Sequence, residues 1–317
     1  MRVMNFLKGI FNVIKLISLI FTLVFFLLAS TFLWARSTAP MLVLDMRNAP
    51  QLPKYFRTTS DPLPANINNT GLADLHIAGG AQFSKSGLSA ILQRLGAGRL
   101  IVIDLRQEDH GMLNSNAVSW YGRHNAENAG KTPAQIEEEQ AALLTALGKQ
   151  KVALVNNVLQ KSAEGEITRI KPAEYLVHQT SSEEKLVADM GQKYQRIYVQ
   201  DFHAPADSEV DRFLQVVKTL PKDKWVYFHC RAGIGRTTVF MTMYDMLRNA
   251  KTVSIQDILL RQVALGGRDL TDLPEENNFK YKWSMERVEF IKKFYEYARE
   301  NNDGYKTSWS EWVKVRG

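Results

Sequence analysis

Trp225-Val226-Tyr227-Phe228-His229-Cys230-Arg231-Ala232-Gly233-Ile234-Gly235-Arg236-Thr237-Thr238 reads as a strand, a tight loop and a helix in immediate succession. Trp225 to Phe228 are apolar or aromatic without interruption, which suits a buried central strand. Gly233 and Gly235 let the backbone turn sharply, and from Thr237 onward the chain is apolar on most sides, as a buried helix is. The loop therefore stands at a helix N-terminus, where successive backbone N–H groups and the positive end of the helix dipole converge on one concavity suited to a phosphate dianion. An α/β fold follows, with a central sheet flanked by helices.

Cys230 stands at the rim of that concavity. The N–H groups that would bind phosphate also stabilise a thiolate, the nucleophilic form of cysteine. Arg236 supplies a planar fork able to hold two equatorial oxygens of a phosphoryl group in flight, which a lysine point charge does poorly. The Thr237 hydroxyl can donate to the sulfur and ease its departure when a phosphocysteine is hydrolysed. The competing reading is an inert buried cysteine beside an unrelated arginine. His before Cys, Gly three after, Arg six after and Thr next would coincide by chance on the order of once in 10^5 positions at ordinary residue usage.

His229-Cys230-x5-Arg236-Thr237 resembles the signature of the protein tyrosine phosphatase superfamily. Taken with Asp104-Leu105-Arg106-Gln107-Glu108, Val118-Ser119-Trp120-Tyr121-Gly122 and Asp303-Gly304-Tyr305, it looks like the cysteine phytases, protein tyrosine phosphatase-like inositol polyphosphatases of bacteria. The resemblance runs from about Leu52 to Val315. It implies a phosphatase-like core with a small partial β-barrel beside it, built from parts of the chain before residue 80 and of the stretch 159–175. It also assigns His229 and the loop residues Arg231, Ala232, Gly233, Ile234 and Gly235 to substrate binding.

The N-terminus has a different character. Arg2, Lys8 and Lys15 precede Leu16 to Ala35, a run without a charged residue, and Arg36 follows. This is a signal peptide or an uncleaved membrane anchor over residues 1–36. Its length favours the anchor, and the basic residues before it would stay cytoplasmic, leaving the catalytic part (41–317) exported, periplasmic or on the outer face of the inner membrane. The formal charge is +7, but those four basic residues account for most of it and roughly +3 remains, so bulk charge argues only weakly for an anionic substrate. No basic run interleaved with aromatics points to nucleic acid. A single cysteine permits no internal disulfide, which leaves a catalytic thiol unthreatened by a neighbour. The six histidines show no paired spacing typical of zinc, so neither a metal nor another cofactor is expected.

Along the rest of the chain, Met41 to Met46 looks like a short strand. Leu88, Ile91, Leu92 and Leu95 repeat at helical spacing from Ser86 and stop at Gly96, after which Leu100 to Ile103 is a strand leading to Asp104. Asp104 and Arg106 then lie past a strand's C-terminal end, where open α/β sheets bind ligands; resemblance makes Asp104 a substrate contact, and a structural ion pair is the alternative. Pro133 to Leu147 reads as a helix, Lys151 to Val155 as a strand and Leu159 to Tyr175 as a polar stretch. Ser181-x-x-Glu184 is a capping box for a helix through Tyr194, and Arg196 to Val199 a strand. By resemblance Arg57, Lys280 and Arg287 contact substrate; each has a solvated surface cation as its alternative.

The strand before Asp201 ends some thirty residues upstream of Cys230. A departing alkoxide needs a proton, and Asp201 is the candidate acid, then base for the water that cleaves phosphocysteine; Asp207 and Asp211 fall in the following helix. Relatives usually follow this Asp with His and place Trp before Pro, where this chain has Phe202 and Ala204, and they often carry Glu where this chain has Arg231. The expected reaction is metal-free hydrolysis of myo-inositol hexakisphosphate or lower inositol phosphates. Alternatives are a protein tyrosine, dual-specificity or phosphoinositide phosphatase, or a phosphate-binding module without turnover.

Overall fold

The strand that carries Cys230 lies in the middle of a five-stranded sheet. The computed structural model describes residues 40–96, 98–162, 165–221 and 224–316. In it β11 (Trp225–Cys230) pairs in parallel with β3 (Ile77–Ala81) on one side and β4 (Leu100–Asp104) on the other. β2 (Arg57–Thr58) extends the sheet beyond β3, and β10 (Lys193–Arg196) beyond β4. The register sets Cys230 against Ala81 and His229 against Asp104, so three parallel strands end along one edge. Ligands of open parallel sheets bind at that edge.

Alternation in these strands is apolar on both faces, as a covered sheet requires. Val226, Phe228, Ile101 and Ile103 pack among Phe213 of α4 (Asp207–Thr219), Phe240 of α5 (Gly235–Asn249) and Phe294 of α7 (Tyr281–Glu300). Tyr227, Leu100 and Val102 pack on the opposite face with Leu88 and Ile91 of α1 (Lys85–Leu95). α1 closes as its sequence says, with Gly96 left-handed at its C-terminus.

A second sheet of six strands has the order β8-β7-β1-β6-β5-β9, formed by β1 (Met41–Met46), β5 (His110–Leu113), β6 (Asn116–Tyr121), β7 (Val152–Lys161), β8 (Ile167–Leu176) and β9 (Thr180–Ser181). Its own small core holds Val118, Trp120, Ala153 and Val155, covered by Leu144 and Leu147 of α2 (Pro133–Gly148). The described parts of the polar stretch at 159–175 belong to an antiparallel ribbon: β7 and β8 pair from Val152–Leu176 out to Lys161–Ile167, mostly exposed, and backbone bonding rather than burial holds them.

Several boundaries differ from the sequence reading: the helix expected through Tyr194 ends at Asp189, and the strand expected at 151–155 runs on to Lys161. Ser181 is bonded into β9, and the cap of α3 (Glu183–Asp189) is Ser182, whose hydroxyl accepts from Lys185 N at 3.1 Å. The strand expected at 196–199 lies at 193–196, because its partner β4 stops at Asp104; Ile197 and Val199 are buried beyond the end of the ladder. The expected signal or anchor at 1–36 lies outside the described residues, among which no helix is long and apolar enough to cross a membrane.

Candidate active site

Cys230 ends β11 almost fully buried, and the Thr237 hydroxyl lies 3.3 Å from its sulfur. The loop between them is held from behind. Arg231 O accepts from Gln82 N (3.3 Å), and Gly233 O accepts from Arg57 Nη1 (2.9 Å), so both carbonyls are engaged by residues that do not line the cavity. Gly233 has φ +75°, and a Cβ there would run into the backbone of Gly80 and Ala81, so only glycine lets the loop press against the end of β3. Arg57, 2% exposed, also donates to Thr238 Oγ1 at 3.0 Å. It is neither a solvated cation nor a wall of the cavity but a strut beneath the loop.

Arg236 is fixed by a residue that sequence reasoning quoted without assigning a role. Glu108 accepts from both its terminal nitrogens, at 2.6 and 2.9 Å, and Val199 O accepts a further bond at 3.0 Å. Its Nε, by contrast, is buried with no partner among the described residues. Burial alone would push the Glu108 carboxyl up, but Arg236 and Arg106 hold it well below the usual carboxylate range. Arg106 in turn bonds Glu108 (2.9 Å) and Asp45 of β1 (2.9 Å), tying the second sheet to the catalytic loop.

His229 and Asp104 belong to a separate buried layer. Asp104 is fully buried, accepting from Arg106 N (2.9 Å) and Tyr194 Oη (2.7 Å) with His110 Nε2 at 3.1 Å and Arg196 Nε at 3.3 Å. With its oxygens so engaged, it is a structural anchor rather than a substrate contact, the alternative left open by the sequence. His229 Nε2 lies 2.8 Å from Glu183 Oε1 behind the loop; burial would lower its pKa, yet Glu183 and then Asp104 raise it. Neither residue, nor Arg57 or Gly233, lines the cavity.

Asp201 pairs with Arg236 at the cavity wall, its Oδ1 3.4 Å from Nη2, while Asn125 donates to Oδ2 at 3.1 Å. The backbone turns at Phe202, φ +70°, with Phe202 N bonded to Asp201 Oδ1 at 3.0 Å. The tryptophan absent from this loop is made good from α7. Trp283 stacks on Phe202 (6.1 Å between centroids) and against His203 (4.5 Å), and Phe279 meets Phe202 edge-on at 5.6 Å. Arg287 Nη1 adds a 3.3 Å bond to Phe202 O.

The resulting cavity, about 280 Å³, has Cys230 and Asp201 in its walls together with Arg231, Ala232, Ile234, Gly235 and Arg236 of the loop. Lys280 and Arg287 also line it, as do Tyr121, quoted in the sequence motifs without a role, and Lys161 and Arg268, which the sequence did not single out. The Nε groups of Arg236, Arg268 and Arg287 are all buried without a hydrogen-bond partner among the described residues. Burial, and secondarily Arg268, lowers the pKa of Lys280 and of Arg287; a guanidinium so shifted remains charged at neutral pH. Lys161, drawn down to about 8 by burial and then by Arg231, is the cation whose charge changes nearest neutrality. Unpaired buried donors around one thiol make a site for a multiply charged anion.

Comparison with known proteins agrees with this geometry. A family model described as PTP-like phytase, inositol hexakisphosphate, matches residues 103–248. A PTP-like phytase from Bdellovibrio bacteriovorus superposes with a TM-score of 0.69 at 34% identity, over 88% of this chain and 96% of that one. The PTP-like myo-inositol phosphatase of Mitsuokella multacida, solved with myo-inositol-(1,3,4,5)-tetrakisphosphate, superposes at 0.79 with 34% identity, over 88% of this chain and 49% of its own. The effector protein hopD2 of Pseudomonas syringae pv. tomato is 30% identical over 282 residues, 86% of this chain and 59% of that protein. The chain thus spans little more than half the length of hopD2 and about half that of the Mitsuokella protein.

Proposed function

Because this chain belongs to the PTP-like phytase family, we propose that it is a cysteine-dependent phosphatase that hydrolyses myo-inositol polyphosphates through a phosphocysteine on Cys230. The observation that carries the substrate class is the set of buried, unpaired guanidinium N–H groups around a single thiol. A flat aromatic phosphoester would leave most of them unsatisfied, whereas a ring bearing several phosphates would engage them. The complex of the Mitsuokella relative with an inositol tetrakisphosphate supports the same class.

Cys230 attacks the phosphorus in line while the loop amides and Arg236 take up the charge on the equatorial oxygens, the work a metal ion would otherwise do. Asp201, opposite the thiolate, protonates the departing alkoxide and then removes a proton from the water that cleaves the intermediate. Thr237 donates to the sulfur as it leaves. Phe202, Trp283 and Phe279 keep the acid over the cavity, and Glu108 keeps the Arg236 fork in plane. Export belongs to the same reading: the apolar stretch Leu16 to Ala35 would carry the catalytic part to the periplasm or the outer face of the inner membrane, and one relative is a bacterial effector.

The test is phosphate release in EDTA from inositol hexakisphosphate, a phosphotyrosyl peptide and a phosphoinositide vesicle. Preference for the inositol phosphate by tenfold or more in kcat/KM is expected. Preference for peptide or lipid would discard the substrate and keep the Cys230 chemistry; binding without turnover of any would leave only a phosphate-binding module.

A further inference from the structure

The residue after the nucleophile is built into something of its own. Arg231 Nε donates to Asp45 Oδ1 at 2.7 Å, and Asp45, fully buried, also accepts from Ser119 Oγ (3.1 Å) and Arg106 (2.9 Å). Three donors fix that carboxylate, and it fixes Arg231 by one nitrogen, leaving the two terminal nitrogens without a protein partner among the described residues. The Arg231 guanidinium lies 4.8 Å from the centroid of the Tyr121 ring. Lys161 Nζ lies 3.9 Å from the same centroid and donates to Tyr121 Oη at 2.5 Å. Two cations flank one aromatic ring in the cavity wall, with Asp45 and Asp201 as the nearby carboxylates, and the cluster still offers Arg231 and Lys161 donors to a ligand anion.

This inference rests on the inositol phosphate reading above. We propose that Arg231, Lys161 and Tyr121 form a second phosphate subsite, steadied from behind by Asp45, which holds the phosphate vicinal to the one being cleaved. Arg231 follows Cys230 in the chain and lines the same cavity, and on that placement an anion on its free nitrogens is assigned the position next to the scissile group. The Arg236 side chain, with its own unpaired Nε, serves the scissile phosphate itself. The protein should therefore prefer substrates carrying two neighbouring phosphomonoesters, and its action should slow once no vicinal pair remains.

The experiment compares full-length protein on myo-inositol 4,5-bisphosphate and myo-inositol 1,4-bisphosphate, which carry equal charge but differ in vicinality. Wild type should favour the 4,5 isomer by about tenfold or more in kcat/KM, the value of one or two charge-assisted hydrogen bonds. Arg231→Gln should bring that ratio to near unity while lowering both rates. Lys161→Gln, a change at the end of the exposed ribbon, should lower the ratio in the same direction and covers the case in which Arg231→Gln does not fold. Equal rates on the two isomers in wild type, or an unchanged ratio in both variants, overturns the subsite alone. Wild type that turns over neither isomer yet hydrolyses para-nitrophenyl phosphate overturns the inositol phosphate reading, and the subsite falls with it.

Discussion

Replacing Glu108 by glutamine is the sharpest single perturbation of this site, because it changes one buried charge without changing shape. Glu108 is 1% exposed and accepts three charge-assisted bonds, two from Arg236 at 2.6 and 2.9 Å and one from Arg106 at 2.9 Å. Glutamine offers one oxygen and turns an NH2 toward a guanidinium, so at least one of those bonds becomes a donor-to-donor contact, and two buried arginines lose their shared counter-ion. Breaking a buried pair from one side costs about 3–5 kcal/mol, a large part of the ~5–15 kcal/mol that holds a typical domain together. Freed from its fork, Arg236 should also lose orientation, lowering kcat/KM by roughly 100-fold, as removal of one pre-oriented transition-state donor does. The pH dependence has a definite sign. The Glu108 carboxyl is depressed in the folded state, so its contribution is present above the unfolded carboxyl range near about 4.3 and is lost as pH falls toward the lower folded value. Urea unfolding of wild type and Glu108→Gln across the acid range should show a gap that narrows as pH falls. A gap under about 1 kcal/mol at neutral pH, or turnover within a few-fold of wild type, would refute the assignment of Glu108 as the residue that sets Arg236.

Gly233→Ala should fold yet lose kcat/KM by more than about 100-fold, since φ +75° and the Gly80–Ala81 backbone force the loop to move; besides the steric contact, a left-handed alanine costs ~1–2 kcal/mol. Calorimetry with inorganic phosphate should show the matching loss of affinity. Trp283→Ala removes two ring contacts from the Asp201 loop, about 0.5–1.5 kcal/mol each, and should lower kcat by about tenfold with little change in KM, Trp283→Phe recovering part of it. The KM for inositol hexakisphosphate should rise as pH rises through about 8, where Lys161 loses its proton, in surroundings that also hold Arg231, Asp201, Asp45 and Lys280. Lys161→Arg should abolish that rise in a steady-state pH series.

The nucleophile loop is legible in the sequence because one contiguous stretch carries both the topology and the chemistry: strand, glycine turn and helix start follow each other within fourteen residues. Asp201 is legible for a related reason, standing just past an apolar run that delivers it to the same sheet edge. Arg57 and Asp104 show the limit. A polar residue at a strand end looks alike in sequence whether it faces the ligand or the loop's back, and only the register of β2 on β3 and of β4 on β11 turns these two inward. Asp45, Tyr121 and Lys161 come from the second sheet, whose approach to the catalytic loop is decided by the Arg106 and Arg231 ion pairs and not by local periodicity. Likewise the missing tryptophan of the acid loop is supplied by Trp283, some eighty residues further along the chain, a compensation that no local pattern announces.

The most direct measurement is a rapid quench of full-length protein with 32P-labelled inositol hexakisphosphate under single-turnover conditions, followed by mass spectrometry of the peptide containing Cys230. The phosphocysteine mechanism predicts transient label on Cys230 that forms and decays at rates able to account for turnover, and no label or turnover in Cys230→Ser. Label on another residue, or undiminished phosphate release by Cys230→Ser in EDTA, would contradict it.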